Sequence, residues 1–63
     1  MTQNQLEGLP ATAMEVLKMQ LKGRWTKADH GRMRSIARDW TQVHRQVFED
    51  RFADRLGRAI RWS

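Results

Sequence analysis

The sequence predicts an all-α protein, a small helical hairpin or three-helix arrangement that forms a single domain over residues 1–63. Apolar residues recur at spacings of three and four, which is the period of a helix. The only proline is Pro10, ahead of the first periodic segment, and no strand-like alternation follows it. A chain of 63 residues without cysteine has no disulfides or thiolate metal sites to reinforce its core. We therefore expect the protein to self-associate as a homodimer or larger oligomer.

The first helix is predicted over approximately 12–22. Residues 1–10 are mostly polar and lack a period, so we expect a loose N-terminal arm there. Pro10 suits the entry to a helix, and Thr12 and Glu15 have the spacing of a capping box, in which each side chain bonds the other residue's backbone N–H. The apolar seam expected for this helix consists of Met14, Leu17, Leu21 and Trp25.

The second helix is predicted over approximately 27–48. Thr26 and Asp29 form another capping-box pattern directly before the periodic residues. The short link between the two helices is typical of antiparallel neighbours. The seam of this helix is expected to consist of Met33, Ile36, Trp40, Val43 and Val47.

The seam of the second helix cannot simply continue past its end. A helix turns about 100° per residue, so Phe48, Phe52 and Leu56 would fall on the opposite side of a straight continuation. One straight helix cannot bury both stripes against one core. The sequence therefore predicts a break near 48–50, with Asp50 capping a third helix over approximately 51–61. The alternative is a continuous helix that offers its second half to another chain.

The charge of the chain favours an acidic partner. Twelve basic residues face seven acidic ones, for a net charge of +5. Residues 1–23 are neutral, so the excess lies entirely in the second part of the chain, where most of the basic residues are arginines. Arginine matches the geometry of carboxylate and phosphate groups, so a protein or a nucleic acid would both suit this surface.

The leading functional hypothesis is a non-enzymatic regulator, an inhibitor or adaptor of the phage or stress type, that modulates a protein partner. An apolar and arginine-rich C-terminal helix would bind a groove of that partner. The predicted contact residues are Phe48, Arg51, Phe52, Arg55, Leu56, Arg58, Arg61 and Trp62.

The alternative hypothesis is a nucleic-acid-binding protein whose second-half arginines contact phosphates. On the second helix a basic stripe is expected to consist of Arg34, Arg38 and Arg45. Asp50 and Asp54 lie among the last arginines and would repel phosphate, which leaves the two hypotheses open.

Enzymatic and metal chemistry find no support in the sequence. His30 and His44 are not accompanied by acidic residues in metal-ligand spacing, and no hydroxyl is organised beside a histidine as a nucleophile. We expect no cofactor. The sequence contains no apolar run long enough to span a membrane and no visible signal peptide, so a cytoplasmic protein is expected.

Several short motifs resemble the CsbD-like family of small bacterial stress-response proteins. Gln5-Leu6-Glu7-Gly8 is similar to the opening of that family, and Lys22-Gly23 and Trp25-x-Lys27 are similar to its next conserved steps. Arg51-Phe52-Ala53 resembles its Arg-Tyr-Gly, and apolar residues after the tryptophan fall at matching positions. The resemblance implies a protein of short helices and a stress-related role, and it carries over no site residues.

Overall fold

The computed structural model describes residues 6–63 and confirms the all-α class. Three helices occupy this part of the chain: α1 (Ala13–Leu21), α2 (Lys27–Asp39) and α3 (Gln42–Leu56). They enclose one apolar core, and residues 57–63 form a non-helical tail that packs against it. None of these helices is long and apolar enough to cross a membrane.

Helix α1 begins without the predicted capping box. The Thr12 side chain makes no cap hydrogen bond. Its Oγ1 instead accepts a hydrogen bond from the indole Nε1 of Trp40 at 2.7 Å, and the Glu15 carboxylate pairs with Arg32. The predicted seam of this helix is also partly wrong, because Leu21 is 65% exposed. Met14 is exposed as well, and the buried face consists of Ala13, Val16, Leu17, Met19 and Gln20.

Helix α2 begins as predicted and ends earlier than predicted. The capping box of Thr26 and Asp29 is present in both directions. At the other end Trp40 and Thr41 adopt extended backbone conformations, with ψ of 139° and 165°. The Thr41 side chain accepts the N–H of His44, whose Nδ1 accepts the Thr41 N–H at 3.5 Å. This second capping box starts α3 at residue 42.

The break at residues 40–41 resolves the conflict between the two apolar stripes. The predicted break at 48–50 and the predicted helix over 51–61 are both wrong, as is the continuous helix. Asp50 lies inside α3 and accepts a hydrogen bond from Gln46. After the corner the helical phase is reset, so Val43 becomes 69% exposed while Phe48 and Phe52 enter the core.

Helix α3 ends at Gly57, and the tail then packs against the core. Gly57 has φ of 70°, a left-handed conformation that favours glycine and allows its N–H to bond the last carbonyls of the helix. Ile60 is buried, and the Trp62 ring lies 5.4 Å from that of Trp40 and 5.8 Å from that of Phe48.

A buried glutamine fixes the tail to α1. Gln20 is only 3% exposed. Its Nε2 donates to the Arg61 carbonyl at 2.6 Å, and its Oε1 accepts the Arg61 N–H at 2.7 Å. The side-chain amide thus bonds both the N–H and the carbonyl of one residue, and both of its polar atoms have a hydrogen-bond partner.

The described part of the predicted N-terminal arm is not loose. Leu6 and Leu9 are half-buried and pack against the core, and the Leu9 N–H donates to the Leu6 carbonyl at 3.1 Å. Gly8, with φ of 82°, makes the tight turn between them possible. Residues 1–5 of the predicted arm lie outside the described residues.

We expect Trp40→Ala to unfold the protein or nearly so. Truncation of a buried tryptophan costs about 3–5 kcal/mol, which is comparable to the whole free energy of unfolding of so small a domain. Trp40→Phe should cost less, because it keeps a packed ring and loses the hydrogen bond to Thr12. Urea denaturation followed by circular dichroism measures both. Parent-like stability of Trp40→Ala would contradict the central place given to this side chain.

We expect Gln20→Met to release the tail while the three helices persist. The substitution keeps the length of the side chain and leaves the Arg61 peptide groups without their partners, at a cost of about 1–3 kcal/mol. The tryptophan emission of the protein should shift to the red, because the Trp62 ring leaves Trp40 and Phe48 and becomes exposed to water. Gln46→Met is the matched control on the exposed face of α3. An unchanged emission spectrum in Gln20→Met would contradict the proposed role of the amide.

Candidate functional site

Two arginines of the predicted C-terminal contact set are engaged within the chain. Arg51 Nη1 donates to the Glu7 carbonyl at 2.5 Å, and Arg58 Nη2 donates to the carbonyl of Gln20. The second contact places a cation at the C-terminal end of α1, where unpaired carbonyls give the helix dipole its negative end. Arg51 thus links α3 to the segment before α1, and Arg58 links the tail to the end of α1, so both side chains stabilise the fold.

The other basic residues of that set differ in their surroundings. The Arg61 guanidinium lies 4.1 Å from the ring centroid of Trp25, in a cation–π contact. Arg55 is exposed and has no hydrogen bond or ion pair within residues 6–63. Leu56 is half-buried against the core. The structure thus does not gather these residues into one exposed face.

The aromatic residues predicted to bind a partner are core residues. Phe48 and Phe52 are 0% and 2% exposed, and their ring centroids lie 4.6 Å apart. Trp62 is half-buried, and its Nε1 donates to Glu49 at 2.8 Å. The exposed aromatic stripe that was expected to bind a partner's groove is therefore absent from the described surface. Self-association stays a prediction that rests on the small size of the chain.

Helix α2 carries a cationic stripe that faces away from the core. Lys27, Arg34 and Arg38 are all exposed and fall within about 40° of one another around the helix axis. Met33 and Ile36 lie roughly on the opposite side and are buried. Within residues 6–63 no acidic group pairs with these three cations, and none of their side chains makes a hydrogen bond. We call Lys27, Arg34 and Arg38 the α2 stripe.

Two acidic residues close to this helix, Asp29 and Glu15, form ion pairs with cations outside the α2 stripe. Asp29 accepts a salt bridge from Lys22 at 2.7 Å, and Glu15 accepts two hydrogen bonds from Arg32, at 2.6 and 3.0 Å. The hydrogen bond from Arg32 lowers the pKa of the Glu15 carboxyl, and that from Lys22, followed by the Thr26 backbone, lowers the pKa of Asp29. These two carboxylates therefore do not compensate the α2 stripe, and the remaining acid of the helix, Asp39, lies about 100° from Arg38 around the helix axis, on the side of Arg32.

Arg45 does not belong to the stripe predicted from the sequence. The corner at 40–41 puts it on α3, where it is half-buried and its Nε is buried without a hydrogen-bond partner within the described chain. Arg45 forms no ion pair with Glu49, which lies four residues further along α3 within the described chain. In the structure Arg34 and Arg38 belong to the stripe together with Lys27. Lys27 precedes Arg34 by seven residues, or about two helical turns, so the two residues share one face of the helix.

The histidines have structural contacts. The His30 ring packs edge-on against Trp25 with centroids 5.3 Å apart, and His44 caps α3. In residues 6–63 no three His, Cys, Asp or Glu side chains are grouped so that they could hold a metal ion. Two cavities beside the tail measure about 150 and 230 Å³, below the usual size of a small-molecule site. The surface of α2 is therefore the better candidate for function.

Comparison of the chain with protein-family models, with curated proteins and with solved structures gives no match. No family is thereby shown. The resemblance to CsbD-like proteins stays a prediction.

We expect the free energy of unfolding to fall as the pH is lowered below about 4.5, the ordinary pKa of the Glu15 carboxyl. A carboxyl whose pKa is lowered by folding contributes stability above its unfolded pKa and loses it as the pH falls through the folded pKa. Arg32→Gln should reduce this dependence, because it removes the cation that lowers the pKa of Glu15. Urea denaturation between pH 3 and 7 measures the effect, with Arg55→Gln as the control of equal charge. Identical pH profiles of both variants would contradict the assignment.

Proposed function

We propose that the protein is a non-enzymatic nucleic-acid-binding protein that contacts phosphates through the α2 stripe. The observation that carries this proposal is the alignment of three exposed cations without an acidic partner on one face of a helix. Phosphate binding rewards cations of this kind, because each neutralised phosphate releases condensed counterions. The net charge of +5 supports long-range attraction to the same partner.

The distribution of acidic residues supports a nucleic acid over an acidic protein. Arginines interleaved with acids are typical of helix surfaces that bind other protein surfaces. Such interleaving occurs on α3, where Asp50 and Asp54 are exposed together with Arg55. The face of α2 that carries the stripe contains no acid, because Asp29 pairs with Lys22 and Asp39 lies about 100° from Arg38 around the helix axis. Regulation of a protein partner through the C-terminal helix is the weaker proposal, because Phe48 and Phe52 are buried.

Binding of a labelled duplex oligonucleotide, followed by fluorescence anisotropy at several salt concentrations, tests the proposal. Three phosphate contacts predict a slope of roughly −3 in a plot of log K against log salt. The double variant Arg34→Gln/Arg38→Gln should flatten this slope by about 2 and retain the helix content.

The matched control is Lys18→Gln/Arg55→Gln, which removes the same net charge from exposed positions on α1 and α3. This control should keep the slope of the parent. Equal weakening by both double variants would show a response to net charge alone and would contradict the stripe. Absence of binding by the parent even at low salt would contradict the proposed function.

A further inference from the structure

We infer that the nucleic acid is double-stranded DNA and that α2 approaches its major groove closely at Gly31. The inference rests on the proposed function and names the substrate of the same surface. Three observations carry it: an exposed glycine beside the α2 stripe, the length of the stripe, and the burial of the aromatic side chains.

Gly31 is a glycine that the fold itself does not require. It lies inside α2 between Lys27 and Arg34, and its φ is not in the left-handed region. A Cβ added to it would meet no atom within 4 Å, so neither packing nor a turn excludes a side chain. Glycine inside a helix is nevertheless destabilising relative to alanine. Its absent side chain leaves a notch beside the cationic stripe, which lets the floor of a groove come closer to the helix axis.

The dimensions of the stripe match the major groove of B-form DNA. Lys27 and Arg38 are eleven residues apart, or about 16 Å along the helix. The major groove of B-DNA is about 12 Å wide and admits an α-helix. The two ends of the stripe can therefore contact phosphates on both strands while the notch at Gly31 lies over the groove. The major groove of A-form RNA is deep and narrow, so double-stranded RNA offers no equivalent fit.

The burial of the aromatic residues argues against single strands. Proteins that bind single-stranded nucleic acid stack successive bases on exposed aromatic side chains. Trp25, Trp40, Phe48 and Phe52 are buried, and the Nε1 of the half-buried Trp62 is bonded to Glu49. No aromatic side chain in the described chain is thus free to act as a stacking surface beside α2.

Substitution of Gly31 separates its role in binding from its effect on the fold. Gly31→Ala should raise the Tm by about 4–8 °C, since alanine is the better helix former. It should nevertheless weaken binding to a labelled DNA duplex. Gly31→Leu fills the notch and should weaken binding about tenfold, the scale of one good contact at such an interface. Gly23→Leu, which adds the same side chain at another exposed glycine with open space around it and outside α2, should leave the affinity unchanged.

The same titrations are made with duplex DNA, duplex RNA and single-stranded DNA of one sequence, at one salt concentration. We expect the DNA duplex to bind most tightly. Parent-like affinity of both Gly31 variants, together with loss of binding in Arg34→Gln/Arg38→Gln, would overturn the close approach and leave the proposed function intact. Equal or tighter binding of single strands or duplex RNA would overturn the assignment to duplex DNA. No binding of any of the three would overturn the proposed function itself.

Discussion

The corner occupied by Trp40 is the constraint on which the arrangement of the helices depends. Trp40 ends α2 in an extended conformation, and its indole Nε1 bonds Thr12 at the start of α1. Its ring also contacts those of Phe48 and Trp62. One side chain thereby connects all three helices and the tail. Because the backbone turns at this residue, the apolar side of α3 faces the same core as the apolar side of α2.

Helix content and the need for a break were predictable from the sequence, and the position of the break was not. Periodicity shows that Phe48 and Phe52 cannot face the same core as Met33 and Ile36 from one straight helix, so the sequence favoured a break over a continuous helix shared with another chain. The pattern favours a bend where the mismatch first becomes visible, after Val47. The structure bends where a cap is available, at Thr41. A capping box with histidine in place of glutamate is a weak signal before the partner atoms are known.

The candidate site was predictable in part for the same reason. Arg34 and Arg38 lie on one uninterrupted helix, so their common face follows from spacing alone. Arg45 was assigned to that face by extending the helix through a corner that the sequence did not reveal. Arg58 and Arg61 were expected to bind a partner, but both contact groups of the same chain, a backbone carbonyl and an indole ring. A sequence does not show which arginines will form such internal contacts. Gln20 was missed, although a glutamine between the core residues Val16 and Leu17 in helical phase is a usable signal.

The pairing of Gln20 with Arg61 also determines the order in which the molecule can fold. The two residues are 41 positions apart, so these hydrogen bonds join the first helix to the C-terminal tail. Long sequence separation slows folding, because the entropy of closing the loop must be lost before the contact forms. A nascent chain that has exposed α1 and α2 still lacks Ile60 and the tail. During synthesis the core residues of α1 are therefore covered only in part, by α2, until the last part of α3 and the tail have emerged.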